Sequence, residues 1–233
     1  NETGVVNRGL AGAAAAGRAA GALVHTDAVQ AVGKIPVRPS ELGVDLLSFT
    51  GHKLGGPKGA GVLWVRAGTR LVPFFAGGGQ ERGRRGGTEN VPAIVGLGAA
   101  VAAAARELHA EAVRVGALRD AFEEGVLARV PGARVNGRGT EPGDRLPTAS
   151  SVTFPGADGE VLLAALDLEG VSASSGSACS SGTPAPSRVL LACGLAEAEV
   201  RASVRFSFGR TTTAGDVEAL LALLPTLVAR CAA

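Results

Sequence analysis

Two short apolar runs, Ala22-Leu23-Val24-His25 and Val44-Asp45-Leu46-Leu47-Ser48-Phe49, each empty into a turn that carries reactive side chains. The first leads into Thr26-Asp27-Ala28-Val29-Gln30, the second into Thr50-Gly51-His52-Lys53-Leu54-Gly55-Gly56-Pro57-Lys58-Gly59. Apolar runs of this length bounded by turn residues read as buried strands. An Ala-rich helical stretch is expected from about residue 10 to 21, and a third strand over 61–65. Strands and a helix joined by short Gly-marked loops predict an α/β fold with a mostly parallel sheet. Ligands of such sheets bind beyond the carboxyl ends of the strands, and Asp27 and Lys53 both fall there. A carboxylate and a nucleophilic amine at neighbouring strand ends suit covalent chemistry on a carbonyl compound.

The segment Gly77-Gly78-Gly79-Gln80-Glu81-Arg82-Gly83-Arg84-Arg85-Gly86-Gly87-Thr88-Glu89-Asn90 is rich enough in glycine for close backbone approach and anion binding. Asn90 is placed to cap a helix with Pro92 in its first turn, and that helix is expected to run from Val91 to about Val130. Such length suggests a connector between domains, so residues 1–103 are assigned to one domain and 104–233 to a smaller one, divided near Ala103. In the second, a strand is expected over 150–154, a helix over 159–168, a strand over 203–208 and a closing helix over 216–230, interrupted at Pro225. Val204, Phe206 and Phe208 alternate with Arg205 and Ser207, which puts Arg205 on the face away from the apolar one. The small domain is therefore α+β.

Composition narrows the partners. A net charge of +2 gives no reason to expect nucleic-acid binding, and the basic cluster 82–85 has no aromatic platform beside it. No apolar run approaches the roughly 18–20 residues of a membrane span, and no signal peptide opens the chain. Cys179, Cys193 and Cys231 form no disulfide or zinc framework, which favours a reducing, cytoplasmic setting. His25, His52 and His109 lack metal-ligand spacing. With no methionine in its 233 residues, the chain is expected to be the later part of a longer protein.

Five motifs stand in order along the chain: His25-Thr26-Asp27-Ala28-Val29-Gln30, Ser48-Phe49-Thr50-Gly51-His52-Lys53, Arg85-Gly86-Gly87-Thr88-Glu89-Asn90, Ser174-Ser175-Gly176-Ser177-Ala178-Cys179 and Val204-Arg205-Phe206-Ser207-Phe208-Gly209-Arg210. Together they resemble the cysteine desulfurases, in particular the group with a Ser-Ser-Gly-Ser-Ala-Cys active loop. The resemblance implies the aspartate-aminotransferase-like fold, fold type I, in a homodimer that uses pyridoxal 5′-phosphate. It implies conversion of L-cysteine to L-alanine, with sulfur held on Cys179 as a persulfide and passed to a protein acceptor. Iron–sulfur cluster assembly, tRNA thiolation and DNA modification all remain open as destinations.

By the same resemblance Lys53 is the Schiff-base lysine, and Asp27 is the partner of the pyridine nitrogen. Gln30 and Asn1 contact the cofactor's phenolic oxygen, and Asn1 also the substrate. Thr50 and His52 bind the phosphate, and Thr88 reaches the phosphate of the neighbouring subunit. Arg205 clamps the substrate carboxylate, and Cys179 is the nucleophile, in small polar surroundings that suit a mobile loop. Cys193, within Leu190-Leu191-Ala192-Cys193, reads as a buried inert thiol, and Cys231 has no role. The family's main phosphate loop and stacking aromatic would lie upstream of Asn1. Two other readings stand beside this one: another fold-type I enzyme, such as a selenocysteine lyase or aminotransferase, and a non-catalytic interaction module.

Overall fold

β1 (His25–Asp27) lies in parallel against β2 (Leu46–Thr50), with Asp27 opposite Ser48. These strands belong to a computed structural model that describes residues 1–138, 143–175 and 185–232. The chain forms two compact units, one of Asn7–Leu108 and one of Asn1–Val6 with His109–Ala233. The division thus falls five residues beyond Ala103, inside a helix, and the first six residues go with the later unit.

In the Asn7–Leu108 unit, α1 (Leu10–Ala19) precedes β1, and β3 (Gly61–Val65) completes a three-stranded sheet in the order β1-β2-β3. β3 runs antiparallel to β2. The connection between them, residues 51–60, is shorter than the dozen or so residues a parallel crossover needs. Ala14, Ala28, Val44 and Leu47 are buried at the centre of this unit, with Phe49 and Trp64 packed against them. A short helix, α2 (Gln80–Gly83), lies in the glycine-rich segment, followed by α3 (Val91–Arg129). Asn90 caps α3 by accepting the N–H of Ala93 at 3.3 Å. The expectation of no span-length apolar run is corrected here: α3 is long and apolar enough to cross a membrane, judged by length and composition alone. Its early sequence is mostly Ala, Gly and Val, so small residues rather than bulky ones carry the apolar character.

In the other unit, β4 (Arg134–Asn136), β5 (Ala149–Thr153), β6 (Ser174–Ser175) and β7 (Ser203–Ser207) form an antiparallel sheet ordered β4-β5-β7-β6. α4 (Gly159–Leu168), the short α5 (Arg188–Ala192) and α6 (Glu197–Arg201), and α7 (Ala214–Arg230) complete it. The core joins Phe122 and Val126 of α3 to Val204 and Phe206 of β7, Leu162 of α4 and Leu224 of α7. The Phe122 ring lies 4.8 Å from that of Phe206 and 5.5 Å from that of Phe208. α7 continues through Pro225 rather than breaking there. Proline costs the helix one hydrogen bond, and burial of Leu220, Leu221, Leu224 and Leu227 on one stripe outweighs it.

The face of this sheet opposite the core is buried as well, and it is polar. Asn136 Nδ2 donates to Ser151 Oγ and Ser203 Oγ, both at 3.1 Å, and Thr153 Oγ1 donates to Asn136 Oδ1 at 2.9 Å. A second buried polar feature is the ion pair Arg145–Glu123, bidentate at 2.6 and 2.9 Å, with both side chains under a tenth exposed. Its guanidinium also donates to Ala149 O at 3.3 Å, fastening α3 to the start of β5. Replacing Glu123 with Ala leaves Arg145 buried without its counterion, at a cost of about 3–5 kcal/mol measurable by denaturant unfolding.

Arg114 of α3 ties down the turn after β7. It donates to Thr212 O at 2.9 Å and to Gly209 O and Arg210 O at 3.1 Å, and it is paired with Glu111 at 2.9 Å. The hydrogen bond from Arg114 holds the Glu111 carboxyl below its ordinary value. A depressed carboxyl stabilises the fold above its unfolded-state pKa, and that contribution disappears as pH falls through the folded value. Glu111→Gln is therefore expected to lower the melting temperature at pH 7. The gap should close as the pH drops below about 4.3, the ordinary value for Glu.

Candidate active site

The chemistry-bearing residues of the Asn7–Leu108 unit gather at the carboxyl ends of β1 and β2. Asp27 is the last residue of β1, two residues further along than the expected strand end at His25. Its Oδ1 accepts the N–H of Val29 at 2.8 Å, which fixes the carboxylate by an Asx turn. Oδ2 accepts no hydrogen bond among the described residues. One strand over, His25 Nε2 and Ser48 Oγ lie 3.1 Å apart, bridging β1 to β2 beneath the strand ends.

β2 ends at Thr50 and passes into a 3₁₀ turn, Gly51–Leu54, that carries His52 and Lys53. Lys53 is exposed, and its amine pairs with no carboxylate among the described residues. Thr50 Oγ1 donates its hydrogen to Ala60 O at 3.0 Å, while His52 Nδ1 sits 2.9 Å from Thr50 Oγ1. A hydroxyl has one hydrogen, so His52 Nδ1 is the donor of that second pair. The imidazole is thereby held by one nitrogen, and Nε2 is left to meet a ligand.

What holds this turn is its packing on α3. A Cβ on Gly96 would lie 2.6 Å from Pro57 Cγ, and one on Gly56 would lie 3.0 Å from the Cβ of Ala100. Neither position has room for a larger residue. Gly56 N–H also closes the turn on Gly51 O at 2.9 Å.

Gln30 lies on the helical turn that follows β1, and its Oε1 accepts from Lys34 Nζ at 2.8 Å. Lys34 is a residue that motif reading passed over; its signal was the four-residue spacing from Gln30. Thr88 is exposed, in the loop before α3. Next to that loop, Glu81 and Arg82 adopt left-handed backbone with φ of 50° and 59°, so the strained conformation falls on non-glycine residues as well as on Gly83 and Gly87. The Arg85 guanidinium stacks over the Phe75 ring at 5.2 Å.

Asn1 and Arg205 belong to the other unit and meet there: Arg205 Nη1 donates to Asn1 O at 3.4 Å. Arg205 lies on the face of β7 opposite the apolar core, yet it is buried, because that face is covered too. Cys179 lies outside the described residues, as does the segment 176–184 around it. The expectation that Cys193 is buried is corrected by the structure. Cys193 is exposed, capping the short α5, and Cys231 is buried in the core at the end of α7. The apolar stretch 190–193 misled because Leu190 alone turns inward, at 0% exposure, while Leu191 is 38% exposed.

The donor set fits pyridoxal phosphate: among the described residues, an amine without a carboxylate partner at one strand end, a carboxylate with one open oxygen at the next, an amide oriented by Lys34, and an imidazole held through Nδ1. Among the described residues no cluster of His, Cys, Asp and Glu could hold a metal ion.

This arrangement, with the fold that carries it, defines a class of protein, and the chain belongs to it: the class-V aminotransferase family, whose profile matches residues 1–220. Within that family it is 47% identical over 230 residues to a cysteine desulfurase of Gluconacetobacter diazotrophicus, covering 99% of this chain and 56% of the relative. A solved NifS-like protein from Rickettsia africae matches at TM-score 0.86 and 31% identity, over 97% of this chain and 59% of that one. The structure of SspA in complex with cysteine matches at TM-score 0.69 and 34% identity, over 89% of this chain and 56% of that one. The chain thus spans little more than half the length of these relatives.

Gly96→Leu is expected to displace Pro57 and with it the turn of Lys53. The cost is about 1–3 kcal/mol, with faster amide exchange at Gly56 than in the unaltered chain.

Proposed function

We propose that the protein is a pyridoxal phosphate-dependent cysteine desulfurase, turning L-cysteine into L-alanine and loading the sulfur on Cys179. The observation that carries this reading is the pairing of Asp27 with the Lys53 turn at the ends of two parallel strands. Similarity to cysteine desulfurases over nearly the whole chain supports it.

When bound, the cofactor supplies an electron sink for the bond-breaking at the substrate's Cα. Each residue then has a defined task. Lys53 holds the cofactor covalently and moves the proton at Cα. Asp27 keeps the ring nitrogen protonated, and Gln30 and Asn1 donate to the ring oxygen. His52 would take the phosphate by donating from Nε2 as an imidazolium, and Thr50 would join it by turning its hydroxyl away from Ala60 O. Arg205 binds the substrate carboxylate as a fork-shaped donor, with Asn1 beside it. The Cys179 thiolate attacks the sulfur of the substrate: an S–S bond forms, the substrate's C–S bond breaks, and the electron pair and a proton complete alanine's methyl group.

The partners follow from the same reading. A protein acceptor takes the sulfur, for cluster assembly or thiolation, in a reducing cytoplasm. The working form is a homodimer in which Thr88 reaches the partner's phosphate. In support, Val72 and Phe74 are 88% and 90% exposed in the loop leading to Thr88, and Val91 and Val95 are exposed just after it. These are large apolar residues for a free surface.

With cofactor and L-cysteine the protein is expected to release alanine, Lys53→Ala to release none, and Cys179→Ser to keep the cofactor's visible band while losing alanine release by at least about a hundredfold. Alanine release that survives in Cys179→Ser would instead indicate a lyase of the same family that needs no thiol. Substitution is the cleaner test than alkylation, because Cys193 is exposed and would react too.

A further inference from the structure

Gln30 and Lys34 share one helical turn after β1, built by the N–H groups of Ala31 and Val32 donating to Ala28 O and that of Lys34 donating to Ala31 O. The spacing of four brings the two side chains together, and Lys34 Nζ donates to Gln30 Oε1 at 2.8 Å. An ammonium has hydrogens to give and no lone pair to offer. It can therefore hold only the oxygen end of the amide, and this fixes which end of Gln30 is left for a ligand. The other end, Nε2, is a donor with no partner among the described residues.

The turn is also fixed relative to Lys53. Gly33, at φ of +74°, stands where a Cβ would lie 2.5 Å from Leu54 Cδ2 and 3.2 Å from the Cβ of Ala104. Leu54 follows Lys53 directly, so the residue beside Lys34 and the residue beside Lys53 are packed against each other. A shift of one turn moves the other.

We infer that Lys34 is a positioning residue for the cofactor: it locks the Gln30 amide with its nitrogen outward, so that an N–H rather than a carbonyl meets the ring oxygen. This rests on the pyridoxal phosphate reading above. Without the ammonium the amide is free to turn over, and its donor is no longer fixed at the ring oxygen. Lys34 also polarises the amide, which strengthens the donor at its far end.

A donor on the ring oxygen stabilises its anionic form, and this sets the pH at which the visible band of the cofactor on Lys53 titrates. The titratable groups on these turns and strand ends are His25, Asp27, Lys34, His52, Lys53 and Lys58, and α3, packed on Gly33 through Ala104, adds Arg106 and Glu107. The test compares Lys34→Met, Lys34→Arg, Gln30→Leu and the Lys34→Met/Gln30→Leu double variant with the unaltered protein, each loaded with pyridoxal phosphate. Lys34→Met should move the titration midpoint upward by about one pH unit, and Gln30→Leu by a similar amount. The double variant should move no further than either alone, because both remove one donor. Lys34→Arg should restore the midpoint, since a guanidinium also donates to Oε1. A midpoint that ignores Lys34→Met, or shifts that add in the double variant, overturns this inference while leaving the functional reading intact. A protein that develops no such band with the cofactor overturns the functional reading and this inference with it.

Discussion

The turn that carries Lys53 depends on how closely α3 approaches it. Gly96, Ala100 and Ala104 recur every four residues and so present a stripe of small side chains along one face of the helix. Pro57, Gly56 and Gly33 lie against that stripe in the same order, within van der Waals contact. A bulky residue at any of these points would push the loop outward. The helix thus sets the height of the lysine turn above the sheet, and through Gly33 and Leu54 it also sets that of the turn bearing Gln30. The lack of large side chains on this stripe follows: a helix that packs against backbone cannot carry bulk there.

The sheet supplies the other coordinate. Parallel pairing puts the carboxyl ends of β1 and β2 side by side, and the register that sets Asp27 opposite Ser48 places the Lys53 turn just beyond. In the unit that contains β7, the same logic works through alternation. Val204 and Phe206 enter the core, while Ser203 and Arg205 enter a second, polar layer built on Asn136, Ser151 and Thr153. Such a layer is stable only because its hydroxyls and amide satisfy one another.

Much of this could be read from the residue string. α4 spans the expected 159–168, and α3 runs from its Asn90 cap to within a residue of the expected end. Asp27 and Lys53 were marked by their place after apolar runs, Gln30, Thr50 and His52 by the family resemblance, and the structure places all five at or just beyond two adjoining strand ends. What local pattern could not give was set by tertiary packing. The direction of β3 depended on the length of a loop, the continuity of α7 through Pro225 on its buried leucines, and the environment of Cys193 on which side of the short α5 faced inward. The Glu123–Arg145 pair joins residues 22 apart and leaves no mark in composition. The Lys34–Gln30 contact was legible as a spacing, but its meaning needed the direction of a hydrogen bond.

The central claim is that Lys53 is the amine that bonds the cofactor. Borohydride reduction of the pyridoxal phosphate-loaded protein, followed by proteolysis and mass spectrometry, tests it directly. The account predicts a single stable adduct on the peptide that contains Lys53. An adduct confined to Lys34, Lys58 or another amine, with Lys53 unmodified, would contradict it.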